Sequence, residues 1–155
     1  MLSRITPVVF YRDPIAAMHF LEDAFGFETS VLVTDKDGRV GHAEMTVGEV
    51  VIGIGAEWSS PELIGPAAMR SPASLGGAGT QFIRVHMSDS IDVHCERARK
   101  GGARITQEPA DQFYGSRTYR ALDPEGHVWN FDQLVAEVSV EEMQKASELT
   151  FHDKL

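Results

Sequence analysis

The sequence predicts an α+β protein assembled from two copies of one βαβββ module. Three observations carry that prediction. A strand-like run ending in Asp and followed by an amphipathic helix recurs 76 residues on, from Asp13 to Asp89. Each helix pattern closes on a glycine 13 residues after its Asp, Gly26 in the first copy and Gly102 in the second. Three strand-like runs then follow each helix, with glycine-ended turns between them.

The elements follow in order. Ile5 through Asp13 aligns with Gln81 through Asp89, both β-rich runs, with Ile15 and Ile91 two positions beyond the Asp. Asp13 is the N-cap of the first helix and Pro14 its first residue, where proline loses no hydrogen bond and its fixed φ suits the helix. Ile15, Met18, Leu21 and Phe25 form one apolar stripe, and Gly26 supplies the left-handed stop. In the second copy Ser88 or Asp89 caps, Ile91, Cys95 and Ala98 make a thinner stripe, and Gly101-Gly102 end it. The strand runs are Glu28–Thr34, Gly41–Val47 and Glu49–Ile54, then Arg104–Gln107, Ser116–Leu122 and His127–Gln133. Asp35-Lys36-Asp37-Gly38 and Asp123-Pro124-Glu125-Gly126 read as tight reversals, the latter as a hairpin with a two-residue Pro124-Glu125 loop. Gly48 aligns with Gly126 at an offset of 78.

The organisation is therefore a first module over residues 1–54, a linker or lid over 55–80, a second module over 81–135, and a C-terminal helix and tail over 136–155, all in one structural domain. The linker is rich in Gly, Ser, Pro and Ala, as a crossover, a lid or a dimer-exchange segment would be. Ser139-Val140-Glu141-Glu142 opens the last helix with a capping box, and the pattern runs to about Leu149.

A net charge of −9 with scattered basic residues excludes a nucleic-acid partner. One cysteine, Cys95, forms no internal disulfide and reads as a small buried hydrophobe. The Met1-Leu2-Ser3-Arg4 start carries no leader pattern, and no apolar run nears the roughly 20 residues a membrane helix needs, so the expected place is the cytoplasm and no membrane partner is expected.

Three stretches carry a resemblance: Asp13-Pro14 through Phe25-Gly26-Phe27, then His42-Ala43-Glu44, then Tyr114-Gly115-Ser116-Arg117 through Asp123-Pro124-Glu125-Gly126-His127-Val128-Trp129. Together they resemble the vicinal oxygen chelate superfamily of glyoxalase-like, bleomycin-resistance-like and dioxygenase-like proteins. The resemblance implies that each module curls into a half-barrel of curved mixed sheet around a cavity, and that the chain is a homodimer that can share strands between subunits. Metal-using members place ligands at positions that map to Thr6, Ile52, Phe82 and Asn130. None of these is His, Asp, Glu or Cys, so no metal and no cofactor are expected.

Several residues remain as candidates. His42 and Glu44, two apart on one strand face, are either a surface hydrogen-bonded pair or an acid/base or ligand-contacting pair, and with His86 they offer an alternative metal cluster. With the two-residue loop, Tyr119 lies across from Asn130 on the same face, and with Arg117 as charge anchor the three either contact a ligand in the cavity or form a polar patch that solvates the barrel mouth. Phe10, Phe82 and Val8 either fill the core or line the same cavity, with Trp58 and Tyr114 on its rims. The expected ligand contacts are thus Phe10, Trp58, Phe82, Tyr114, Arg117, Tyr119 and Asn130, and the catalytic candidates are His42, Glu44 and Tyr119. Asp132 adds a carboxylate near the barrel end. His127 hydrogen-bonds its hairpin, Trp129 packs beneath a helix, and His19, His94 and His152 lie on the surface. These features fit a metal-free small-molecule-binding protein that sequesters a drug or toxic metabolite. Two alternatives stay open: an enzyme of the same superfamily (a lyase, isomerase or dioxygenase using a noncanonical metal or acid/base residues), and a dimer with a vestigial cavity.

Overall fold

Asp13 and Pro14 set the start of the first helix, as their chemistry requires. In the computed structural model, which describes residues 5–154, the Asp13 carboxylate accepts from Ala16 N at 3.0 Å. Met1 to Arg4, read above for a leader, lie outside the described residues. Helix α1 (Pro14–Phe20) widens into a π-helical turn (Leu21–Phe25) and stops at Gly26, whose φ of 74° is a left-handed conformation that glycine adopts without a Cβ clash. Before it runs β1 (Val8–Tyr11), and after it β2 (Glu28–Thr34), β3 (Val40–Val47) and β4 (Val50–Ala56). The second copy repeats the series as β5 (Phe82–His86), a helix at Ile91–Lys100, β6 (Arg104–Asp111), β7 (Ser116–Leu122) and β8 (Val128–Leu134). The linker holds one α-helical turn, α2 (Pro61–Ile64), and a 3-10 turn at Pro72–Ser74, so the module helix at Ile91–Lys100 is α3 and the C-terminal helix, Val140–Ser147, is α4.

The two sheets are duplicates. One has the order β1-β4-β3-β2 and the other β5-β8-β7-β6, each with one parallel pair, β1·β4 or β5·β8, and the remainder antiparallel. Side chains alternate between faces. The covered face of the first sheet carries Val9, Tyr11, Ala43, Met45, Ile52 and Ile54, and that of the second carries Val85, Tyr119, Ala121, Trp129 and Phe131. All are buried. Among the described residues α1 packs on the first covered face and α3 on the second, and the opposite face of each sheet is its open face.

The modules dock through their covered faces. Phe25 reaches from the π turn onto the second sheet, with its ring centroid 4.8 Å from Phe131 and 5.6 Å from Trp129. Where α3 crosses that turn, a Cβ on Gly101 would lie 2.5 Å from Ala24 Cα, so only glycine admits this approach. Arg97 of α3 donates to the carbonyls of Asp23 (3.0 Å) and Glu22 (2.8 Å), binding the carbonyl end of the first helix with a cation. On the other side, Tyr11 Oη donates to Asp123 Oδ2 at 2.7 Å.

Four details differ from the sequence reading. Ser90, rather than Ser88 or Asp89, caps α3, because Met87 N still pairs with Asp132 O at 2.7 Å and carries the chain past those positions first. β4 runs on to Ala56 and β6 to Asp111, and Trp58 pairs with Met69 through two backbone hydrogen bonds, so the linker is partly ordered by its own structure. α4 has the full capping box of Ser139 and Glu142 but ends at Ser147, where Glu148 turns to a φ of 58°. The β7–β8 hairpin closes between Asp123 and His127, making a three-residue loop with Gly126 at φ 91°. The last of these moves the site.

Candidate ligand-binding site

The extra loop residue shifts β7 by one position against β8. Arg120, not Tyr119, pairs with Asn130, while Tyr119 pairs with Phe131 on the covered face. A one-residue slip reverses every side chain. Tyr119 is 0% exposed, donates to His94 Nδ1 at 2.6 Å and stacks on Phe131, and burial pushes its phenol well above the usual range. It has no path to a ligand on the open face. His94, expected on the surface, is buried here, with Nε2–H donating to Phe25 O at 2.9 Å. Arg117 leaves the group as well, held by Asp92 at 2.8 Å through two nitrogens and by Asp111 at 2.9 Å. Those carboxylates satisfy the guanidinium that was to anchor a ligand.

In their place the open face of the second sheet brings together Arg84, His86, Thr118, Arg120, Asn130 and Asp132. Register puts Arg84, Asn130 and Arg120 in one row, and His86, Asp132 and Thr118 in the next. Asp132 is nearly fully buried and receives His86 Nδ1 at 2.5 Å on one oxygen and Arg84 Nε at 3.1 Å on the other. This leaves His86 Nε2 as the outward nitrogen of a carboxylate-held imidazole. Arg120 Nε donates to Asn130 Oδ1 at 3.1 Å, and Asn130 Nδ2, on a residue 2% exposed, has no hydrogen-bond partner. Tyr114 lies under Arg84, whose Cζ is 6.0 Å from the ring centroid, and Phe82 stands 54% exposed on the same face. Sequence reasoning missed Arg84 and Arg120. Their signal was present in the alternation Arg84-x-His86 against Asn130-x-Asp132, two polar residues at strand period in otherwise apolar segments.

The open face of the first sheet is different. Phe10 lies over Gly55 and Val8 over Gly53, where added Cβ atoms would come within 2.8 Å and 2.9 Å of those side chains. The glycines make a floor for the two apolar side chains. A cleft of about 440 Å³ runs beside them, bounded by Val8, Phe10, His42, Gly53, Gly55 and Trp58. A second, of about 390 Å³, separates Val8 and Phe10 from Met69, Arg70 and Leu75 of the linker. His42 and Glu44 bond each other at 3.0 Å on this sheet, and His86 bonds Asp132 on the other. The structure does not gather them into one cluster, and among the described residues no group of three His, Cys, Asp or Glu is placed to hold a metal. His127 reaches beyond its hairpin, with Nε2 at 2.7 Å from Phe10 O.

A family model for the Glyoxalase/Bleomycin resistance protein/Dioxygenase superfamily matches residues 3–131. The chain belongs to this superfamily. Among relatives of the chain, the uncharacterized protein Mb0911c of Mycobacterium bovis is 29% identical over 143 residues, covering 92% of this chain and 90% of that one. TioX from Micromonospora sp. ML1 is 27% identical, with a TM-score of 0.65 over 86% of this chain and 99% of its own. A glyoxalase/bleomycin resistance protein/dioxygenase from Nocardioides shares the fold, with a TM-score of 0.62 at 22% identity over 90% of each chain.

The superfamily's metal centre does not fit these residues. Thr6 lies before β1 and is exposed, Ile52 is on the covered face, and Phe82 has no donor. Register also corrects the sequence pairing of Ile52 with Asn130. Val8, Gly53 and Glu44 share a row in the first sheet as Arg84, Asn130 and Arg120 do in the second, so Gly53 is the counterpart of Asn130. Asn130 is the one neutral donor left, and it sits between two guanidiniums that repel a divalent cation.

Proposed function

We propose that the chain is a small-molecule-binding protein that works without a metal, holding an organic ligand against its open sheet faces to sequester a drug or toxic metabolite in the cytoplasm. One observation carries the reading: α1 and α3 pack on one side of each sheet, and the opposite sides carry an aromatic-walled cleft of about 440 Å³ on one module and convergent polar groups on the other. An apolar wall with a few fixed polar groups is the usual make-up of a ligand site. A second copy of the chain closes these faces in a homodimer, a reading supported by Val8, Val33 and Phe82, large apolar side chains exposed on them.

A thermal-shift screen of antibiotics and small metabolites tests this, since a ligand bound to the folded state raises stability by mass action. Ligands that raise the parent's Tm are expected to lose their effect in Phe10→Ala or Phe82→Ala. If neither substitution changes any shift, the assignment to these faces is wrong. Elemental analysis of the purified protein runs beside it, and stoichiometric Zn, Ni, Fe or Mn refutes the metal-free part. The His86–Asp132 pair supports an enzymatic second reading, because a buried carboxylate that orients an imidazole also makes it a general base. Turnover of a bound ligand, lost in His86→Gln while binding persists, would establish it.

A further inference from the structure

We infer that the ligand of the second sheet is an organic carboxylate, its anionic group received by Arg120, Arg84 and the Asn130 amide; this rests on the binding reading above and names its ligand class. The charge on this face runs against that of the whole chain. On a protein with a net charge of −9, the row-mates Arg84 and Arg120, with Arg104 beside Leu122 and with His86, are set against one carboxylate, Asp132. Four arginines elsewhere are paired with carboxylates, Arg117 with Asp92 and Asp111, Arg99 with Glu96 and Glu108, Arg39 with Asp35 and Asp37, and Arg12 with Glu125, while Arg70 and Arg97 donate to backbone carbonyls. Arg120 donates to the neutral Asn130 Oδ1 instead, and no carboxylate among the described residues pairs with it.

Asn130 gives the second, independent sign. The Arg120 donor fixes which end of the amide is oxygen, since two donors do not face each other. Nδ2 is then the buried end with no acceptor, a state that costs free energy because the amide has lost water and gained no partner. An anion that parts the two arginine side chains over Asn130 supplies that acceptor and the missing countercharge together. The fold unit does not demand this arrangement, because Val8, Gly53 and Glu44 stand at the corresponding places in the first sheet.

Aromatic surface for the organic body lies on the same face. Phe82, two residues before Arg84 on β5, stands 54% exposed, and Tyr114 lies under Arg84 with its ring centroid 6.0 Å from Cζ. The ligand class is therefore an aromatic or similarly apolar body bearing a carboxylate.

Benzoate and phenylacetate, each against its neutral amide, test this with the full-length protein by NMR-detected titration. The carboxylates are expected to bind at least about tenfold tighter than the amides, as loss of a charge-assisted contact implies. Arg120→Gln and Arg84→Gln are expected to remove that advantage, bringing each acid to the affinity of its amide in the same variant. Asn130→Asp places an internal carboxylate between the guanidiniums, so it abolishes benzoate binding without lowering the urea midpoint, which also shows that the variant folds. Equal binding of acids and amides overturns the carboxylate inference and leaves the small-molecule reading standing. Absence of any probe binding overturns the inference, while the drug screen decides the broader reading. If Arg120→Gln alters the monomer–dimer equilibrium and leaves benzoate binding intact, the arginines serve a subunit contact and the inference fails.

Discussion

Replacing Asp123 with alanine removes one carboxylate that four donors share. Its two oxygens accept from Tyr11 Oη at 2.7 Å, Trp129 Nε1 at 3.1 Å, and the backbone N–H groups of Glu125 and His127 at 3.0 Å each. The backbone groups lie on a half-buried turn where water can replace the carboxylate. Tyr11 is 1% and Trp129 0% exposed, so their donors are stranded. At about 1–3 kcal/mol for each stranded donor, the loss is about 2–6 kcal/mol, a large part of the roughly 5–15 kcal/mol that holds a domain of this kind together. Tyr11→Phe removes one donor and strands nothing, at a cost of about 1 kcal/mol. In the Asp123→Ala background the same change deletes an orphaned hydroxyl and restores stability, so the double-mutant cycle shows coupling of about 1 kcal/mol or more. Urea unfolding with constant m-values reads these differences directly. An Asp123→Ala cost below about 1 kcal/mol, or additive behaviour of the pair, would refute the view that this carboxylate ties β1 to the second module.

Two further perturbations follow from the module interface. Burial holds His94 below the usual imidazole range against the opposing hydrogen bond to Phe25 O, so the unfolded chain takes up a proton first and stability falls as pH drops below about 6.5. Urea midpoints measured from neutral pH downward are expected to decline more steeply in the parent than in His94→Asn, and equal slopes would remove His94 from the account. Gly101→Ala drives a methyl to 2.5 Å from Ala24 Cα and is expected to lower Tm by about 3–10 °C in calorimetry, as overpacking costs of about 1–3 kcal/mol imply; an unchanged Tm contradicts the close crossing of α3 and the π turn.

What was readable in the sequence was what local chemistry decides. Asp13-Pro14, Gly26 and the Ser139–Glu142 box act within one helical turn, and the structure has each where the pattern put it. The repeat set the order of both sheets. The open-face residues depended on one loop residue in the last hairpin, and that loop is shaped by Asp123, whose carboxylate answers Tyr11 in the other module. No local rule distinguishes a two-residue from a three-residue loop in Asp-Pro-Glu-Gly, and the difference exchanges Tyr119 for Arg120. His94 was misplaced for the same reason: its partners, Tyr119 and Phe25 O, come from distant segments, and a histidine on an amphipathic helix gives no sign of them. Arg84 and His86 needed no distant information, only attention to polar residues recurring at strand period.

The duplicated module separates what the fold fixes from what it leaves free. Backbone pairing matches row for row: Val8, Gly53 and Glu44 correspond to Arg84, Asn130 and Arg120, while Phe10, Gly55 and His42 correspond to His86, Asp132 and Thr118. The covered faces stay apolar in both copies because they pack against helices, and changing them costs stability. The open faces carry no such constraint, and there the copies have diverged completely, one to an apolar floor with two glycines and the other to a cationic row. A centre that needs equivalent donors from both modules cannot form when one contributes Val8 and Gly53, whatever the other contributes. On the binding function proposed above, recognition would therefore be asymmetric, with shape and apolar contact from the first sheet and charge and hydrogen bonding from the second.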